Sequence, residues 1–150
     1  MSKLKERLYL LCVGYIINRE SEIKHAISDA QEAANNDSRS SAGDKFETGR
    51  EIMQQEVELN LNRLAELNKL KQTLERIIPA QMSITVQPGS LVYTNNGIYY
   101  ITISAGQLKV DGKTYYAISA ASPIGEKMIG QNPGYQFVLN GKKYIIESVA

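Results

Sequence analysis

Residues 1–78 contain no proline and only three glycines, and the character of the chain changes at Pro79. A stretch that long without helix breakers, with apolar residues at helical spacing, restricts the first half to long helices. Ile16, Ile23, Ile27, Ala30 and Ala34 are separated by 7, 4, 3 and 4 positions, a heptad seam. Phe46, Met53, Val57, Leu61, Leu64, Leu67, Leu70 and Leu74 form a second stripe that drifts as a straight helix would. Between them, Asn35 to Gly43 is a run of turn formers and helix caps, which predicts a loop. Two helices joined by so short a connection run antiparallel. At about 33 residues each and about 1.5 Å per residue, the hairpin reaches roughly 45–50 Å. The base of the first helix, Leu4 to Ile17, is more apolar than a two-helix seam requires, so the surplus is expected to pack against the second half. Gly14 inside it costs about 1 kcal/mol against alanine and marks close packing or a kink.

The second half reads as strands. Asn96-Gly97, Asp111-Gly112 and Asn140-Gly141 suit two-residue hairpin turns, and β-branched or aromatic runs flank all three. The predicted strands cover 83–87, 90–94, 98–104, 107–110, 113–119, 135–139 and 142–148. Between the last two pairs, Ser122 as N-cap, Pro123 at the first helical position and Gly130 at the end describe one short helix. The expected fold class is α+β: an antiparallel coiled-coil hairpin over residues 1–78, then a small antiparallel β domain with one short helix over 79–150.

Charge excludes little but argues against a free polyanion as the main ligand. Residues 1–80 carry 12 basic and 13 acidic groups, and residues 81–150 carry 5 and 3. A protein bound to nucleic acid through counterion release has a stronger basic surplus. Cys12 is alone, which forbids an internal disulfide and suits a reducing compartment. The apolar run from Leu8 to Ile17 follows Lys3, Lys5 and Arg7 as in a signal peptide, but it is too short to span a bilayer. Charged residues follow it with no small-residue cleavage site. A cytoplasmic protein without membrane contact is expected, and a monomer.

Catalytic patterns are sparse. His25, the only histidine, has no visible nucleophile and reads as an ordinary helix residue. No cysteine–histidine cluster and no glycine-rich phosphate loop occurs. Tyr93, Tyr99, Tyr100, Tyr115, Tyr116, Tyr135 and Tyr144 could stack on bases, but few basic residues lie among them, so sheet packing is the better reading. What remains is Gly43-Asp44-Lys45-Phe46-Glu47, two carboxylates three positions apart at the bend between the helices. Local spacing alone favours a capping box, with Asp44 accepting N–H bonds and Glu47 reaching back. Both acids also suit the positive end of the second helix. The same pair can present charge to a partner or share a metal ion.

Two short matches give this pair a context. Gly43-Asp44-x-x-Glu47 at the bend, and Ser122-Pro123-Ile124-Gly125-x-x-Met128-Ile129-Gly130 in the second half, stand in the order and separation found in bacterial Gre-type transcript cleavage factors, which the chain resembles. Asn140-Gly141 and Tyr144 to Val149 resemble that family's closing hairpin. The resemblance implies a coiled coil joined to an FKBP-like β domain, docked on RNA polymerase with the hairpin in the secondary channel. It implies no enzyme in its own right, but an accessory to the polymerase's own hydrolysis of backtracked RNA. Asp44 and Glu47 would help hold a second Mg²⁺ beside the RNA 3′ end, only in the polymerase complex, since no cofactor is expected on the isolated chain. Ser122, Pro123 and Ile124 would contact the partner, as would Lys45, Phe46 and Arg50 near the bend. Asp37 lies too far back to match the motif.

Thr48-Gly49-Arg50-Glu51 stands where the family has Asn-Ala-Glu-Tyr, and Lys45 and Arg50 bring positive charge beside the acids. Two further readings stay open on that account: a channel-binding regulator that does not stimulate cleavage, and an FKBP-like binding or chaperone module on a coiled coil.

Overall fold

The computed structural model describes residues 2–40 and 44–150; the side chains at 2, 34, 36–40 and 44–48 fall outside that description. The order of elements is α1 (Ser2–Ser40), α2 (Asp44–Glu75), β1 (Leu91–Thr94), β2 (Gly97–Thr102), β3 (Gly106–Val110), β4 (Lys113–Ser119), α3 (Pro123–Met128), β5 (Gln136–Leu139) and β6 (Lys142–Val149). The class is α+β. No helix among the described residues is long and apolar enough to cross a membrane.

Of the predicted loop over 35–43, residues 35–40 belong to α1, which continues to Ser40, and 41–43 lie outside the described residues. Asn, Asp and Ser are only modestly worse than average inside a helix. Neither glycine nor proline interrupts the run before Gly43, which itself lies outside the described residues. Contacts divide the chain into two compact units, Met1–Tyr15 with Gln72–Ala150, and Ile16–Lys71. That division differs from a boundary at residues 78 and 79, because the base of both helices belongs with the sheet.

In the Ile16–Lys71 unit, α1 buries Ile16, Ile23 and Ala30, and α2 buries Asn60 and Leu67. Ile23 and Asn60 line one cleft with Arg19, Glu22, Ala26 and Arg63. They stand at similar distances along the chain from the 40–44 connection, so the two helices run antiparallel. Leu61, expected on the seam, is 53% exposed, and Asn60 takes the inner position. Its neighbours Met53, Val57, Leu64 and Leu67 alternate by four and three, and position 60 keeps that step where 61 breaks it. The Asn60 amide is satisfied locally. It donates to the Glu56 carbonyl at 2.9 Å and accepts from Arg63 at 3.3 Å.

In the other unit, six strands among the described residues form one sheet in the order β3-β4-β2-β1-β6-β5. The sheet is mixed and not purely antiparallel as expected. β2 pairs with β4 in parallel, while β1–β2, β3–β4, β1–β6 and β5–β6 are antiparallel. Two turns follow expectation. Asp111 and Asn140 have φ of 51° and 52° with positive-φ glycines after them, the conformation of a type I′ hairpin. The third is shifted, since Thr94 pairs with Gly97 and leaves Asn95-Asn96 as the loop. Thr94 Oγ1 accepts from the Asn96 amide and donates to the Gly97 carbonyl. Both asparagine side chains donate to the Lys143 carbonyl on β6, which fixes the loop.

No strand forms over 83–87. The Thr85 amide is taken by Ser83 Oγ, and only Val86 pairs, through its amide to Gln131 and its carbonyl to Gly130. Pro88 follows directly and supplies no donor to extend the pairing.

Strand alternation gives the sheet two buried faces. On one, Val92, Ile101, Tyr144, Ile146 and Phe137 pack with Val86 and with Met128 of α3. On the other lie Tyr100, Thr102, Leu108, Val110, Tyr115 and Ala117, all buried. Leu4 and Arg7 of α1 line a cleft there with Val110, Asp111 and Tyr115. Leu8 and Cys12 are fully buried on the same stretch of α1. The expected packing of the base of the first helix is met in part: Leu8 and Cys12 are buried, whereas Leu10, Leu11 and Ile17 of the same apolar run stay exposed.

Candidate functional site

α1 ends at Ser40 and α2 begins at Asp44, so Gly43 and its two predecessors make the connection. Gly43 and the side chains of Asp37, Asp44, Lys45, Phe46 and Glu47 lie outside the described residues. Helix position still orders them. With α2 starting at Asp44, positions 44, 47 and 51 recur at i, i+3 and i+7, on one side of the helix. Glu51, which stands outside the Gly-Asp-x-x-Glu motif, is exposed there. The signal was available in the spacing, since one heptad separates Asp44 from Glu51. Arg50, the cation expected to contact a partner, is exposed next to it.

The second candidate set has a visible folding role. Ser122 has extended backbone angles of −66° and 156° and caps α3, accepting from the Gly125 amide at 3.1 Å. Its hydroxyl also donates to the Ser119 carbonyl at 2.7 Å. Pro123 occupies the first helical position, where a missing N–H costs nothing. Ile124 packs against the core cluster and Met128 is fully buried within it. Gly125 is buried, and the position takes glycine because a Cβ there would collide with the Ser119 carbonyl and lie 3.0 Å from the Ala120 carbonyl. Of Ser122, Pro123 and Ile124, all expected to meet a partner, Pro123 is exposed and the other two are half-buried.

His25 is exposed on α1 in a shallow depression with Ile17, Glu20, Ser21, Lys24 and Ser28. Glu20 accepts from Lys24 at 2.9 Å, and this contact holds its carboxyl below the usual range. Among the described residues, no three His, Cys, Asp or Glu side chains are grouped to hold a metal ion.

The tyrosines pack on one another. Tyr99 stacks on Tyr116 at 5.6 Å, Tyr144 meets Tyr99 edge-on at 6.5 Å, and Phe137 stacks on Tyr144 at 5.0 Å. Burial, with smaller contributions from Tyr144 and Tyr116, pushes the Tyr99 hydroxyl up to about 12. On the opposite face, burial pushes the Cys12 thiol up to about 11, which the neighbouring Thr102 partly opposes. The Thr102 and Tyr100 hydroxyls are buried and form no well-aligned hydrogen bond. A buried lysine was not foreseen. Lys5 is 1% exposed, and its ammonium donates to the Gln81 carbonyl at 2.5 Å. Desolvation lowers its pKa, and no carboxylate pairs with it among the described residues. The alkyl stem of Lys5 is read as polar in sequence, yet it packs as an apolar chain.

No protein-family model and no curated protein matches this chain.

Proposed function

We propose that this chain is a Gre-like factor that enters the secondary channel of RNA polymerase and stimulates cleavage of backtracked RNA. On this reading α1 and α2 form an antiparallel coiled coil and the sheet with α3 is an FKBP-like β domain. The observation that carries the proposal is the coincidence of two features in one chain. Acidic positions 44, 47 and 51 open α2 at the helix bend, and a Ser122-capped helix packs into the core of a six-stranded sheet. Either feature alone has an ordinary structural explanation.

The acids suit a shared ion better than a resident one. Carboxylate oxygens are the hard donors Mg²⁺ takes, but two or three of them leave its octahedral shell incomplete. The N-terminal end of α2 also carries positive partial charge, which opposes a cation. Polymerase carboxylates would complete the site. The ion would supply an activated water and neutralise the leaving oxygen. Asp44 and Glu47 would contribute charge from one side, with Glu51 behind them.

Exposed Arg50 favours a second reading, in which the hairpin occupies the channel and contacts RNA phosphate without promoting hydrolysis. A stalled, backtracked elongation complex with Mg²⁺ separates the two. Release of short 3′ RNA fragments is expected to accelerate with the wild-type chain and to drop by at least about tenfold in Asp44→Asn and Glu47→Gln. Binding without fragment release establishes the regulator. Absence of polymerase affinity removes both readings and leaves a binding or chaperone module. Lower helicity in the variants, together with an inert wild type, leaves the acids as a helix cap.

A further inference from the structure

The two edges of the sheet are treated differently. β3 forms one edge and carries Lys109 on its exposed side, with Lys113 across the β3–β4 hairpin. A lysine on an edge strand discourages the approach of another strand. β5 forms the other edge, and Gln136-Phe137-Val138-Leu139 contains no charge, no proline and no bulge. Among the described residues, the backbone of Gln136–Leu139 bonds only to β6. An antiparallel strand points alternate N–H and C=O groups away from its partner, so β5 offers an unfilled ladder.

Three further features suit an incoming strand. Val138 is 61% exposed and Tyr135, just before the strand, is 37% exposed, so apolar side chains stand beside the open backbone. The edge is stiffened by rings, since Tyr135 stacks on Phe137 at 6.1 Å and Phe137 on Tyr144 at 5.0 Å. A stiff edge loses little conformational entropy when a strand is added. Finally, Lys142 and Lys143 are exposed, pair across the hairpin with Leu139 and Val138, and form no ion pair among the described residues.

From this geometry we infer that the β5 edge is a docking site for an extended acidic peptide segment, which adds a seventh strand to the sheet. Backbone hydrogen bonds hold the segment, an apolar side chain covers Val138 on one face, and carboxylates on the other face meet Lys142, which shares that face with Leu139. Unlike the polymerase reading, this site uses neither the helix bend nor α3, so each stands or falls separately.

The test uses the full chain and a labelled peptide of alternating glutamate and valine. Binding is expected with slowed amide exchange at Gln136–Leu139, and it should weaken as salt rises from about 0.1 to about 0.5 M. Lys142→Glu, at an exposed position, should weaken it by about tenfold, and Lys143→Glu, on the opposite face, by less. The same peptide N-methylated at alternate amides should not bind. Equal binding of the methylated peptide overturns strand addition, and unaffected binding by Lys142→Glu overturns the acidic specificity. Oligothymidylate protecting the same amides in the peptide's place reassigns the surface to nucleic acid. Concentration-dependent dimerisation that protects β5 without peptide reassigns it to a second copy of the chain.

Discussion

The two compact units are held together by different means. The unit built on the sheet buries two faces, with Tyr100, Ile101, Ile103, Met128 and Ile146 fully excluded from water. The Ile16–Lys71 unit has one thin seam, and among its few buried side chains is the amide of Asn60. Their charges also differ. Met1–Tyr15 with Gln72–Ala150 carries 9 basic and 5 acidic residues, and Ile16–Lys71 carries 8 and 11. Burial by area favours the sheet unit strongly. The helical unit relies on long helices and on exposed pairs such as Glu20–Lys24 and Glu66–Lys69, each worth little. One unit presents its surface on a sheet buried on both faces. The other presents charge along two helices that most of the chain's apolar contacts do not reach.

The largest expected effect tests whether the base of α1 is sealed against the sheet. A Cys12 thiol raised from 9.0 to about 11 holds about a hundredfold less thiolate near pH 8 than in the unfolded chain. Alkylation by iodoacetamide should be slower by at least that factor in the native protein, and fast in urea. Because the folded pKa lies above the unfolded one, the contribution of this group is complete below about pH 9 and is lost as pH rises toward about 11. Rapid native labelling would show the α1–sheet packing to be open.

Next comes a matched pair. Ile101→Ala in the sheet unit should cost about 3–4 kcal/mol, and Ile23→Ala in the helical unit no more than about 2 kcal/mol, because a thin seam relaxes around a lost side chain. Urea denaturation measures both, and equal costs would erase the contrast between the units. Gly125→Ala should destabilise by about 1–3 kcal/mol, since the added methyl meets fixed carbonyls of Ser119 and Ala120. An unchanged melting temperature would mean that α3 shifts freely, and with it the Ser122–Ile124 surface. The smallest effect is expected at Asp111→Asn. It removes the 2.9 Å bridge to Arg7 but keeps a residue tolerant of the φ of 51°. Both partners are largely exposed, so thermal stability should not move measurably.

Local chemistry was legible in the sequence wherever a few neighbouring residues decide the outcome. Ser122-Pro123 and Gly130 bracket α3 as expected, because a cap and a fixed proline φ act within one turn. Asp111-Gly112 and Asn140-Gly141 adopt positive φ for the same reason. The shifted Asn95-Asn96 turn was not legible, since it depends on the Lys143 carbonyl 47 and 48 positions away. Asn60 in place of Leu61 was missed because composition ranks leucine as the inner residue, while the three–four step places the asparagine there. The candidate site was legible only as a motif. Its acids share a side of α2 by spacing, and Glu51 joins them once the start of the helix is known.

By itself the sequence determined two long helices, three hairpins and one capped helix, because each is written in propensities, periodicity and turn residues acting over a few positions. Only the tertiary structure decided how the hairpins combine. A turn fixes the pairing of the strands it joins, but nothing local selects β4 as the parallel neighbour of β2, or β6 as the neighbour of β1. Those pairings follow from burying both faces of the sheet at once, against α3 on one side and the base of α1 on the other. That arrangement also leaves β5 as the uncharged edge.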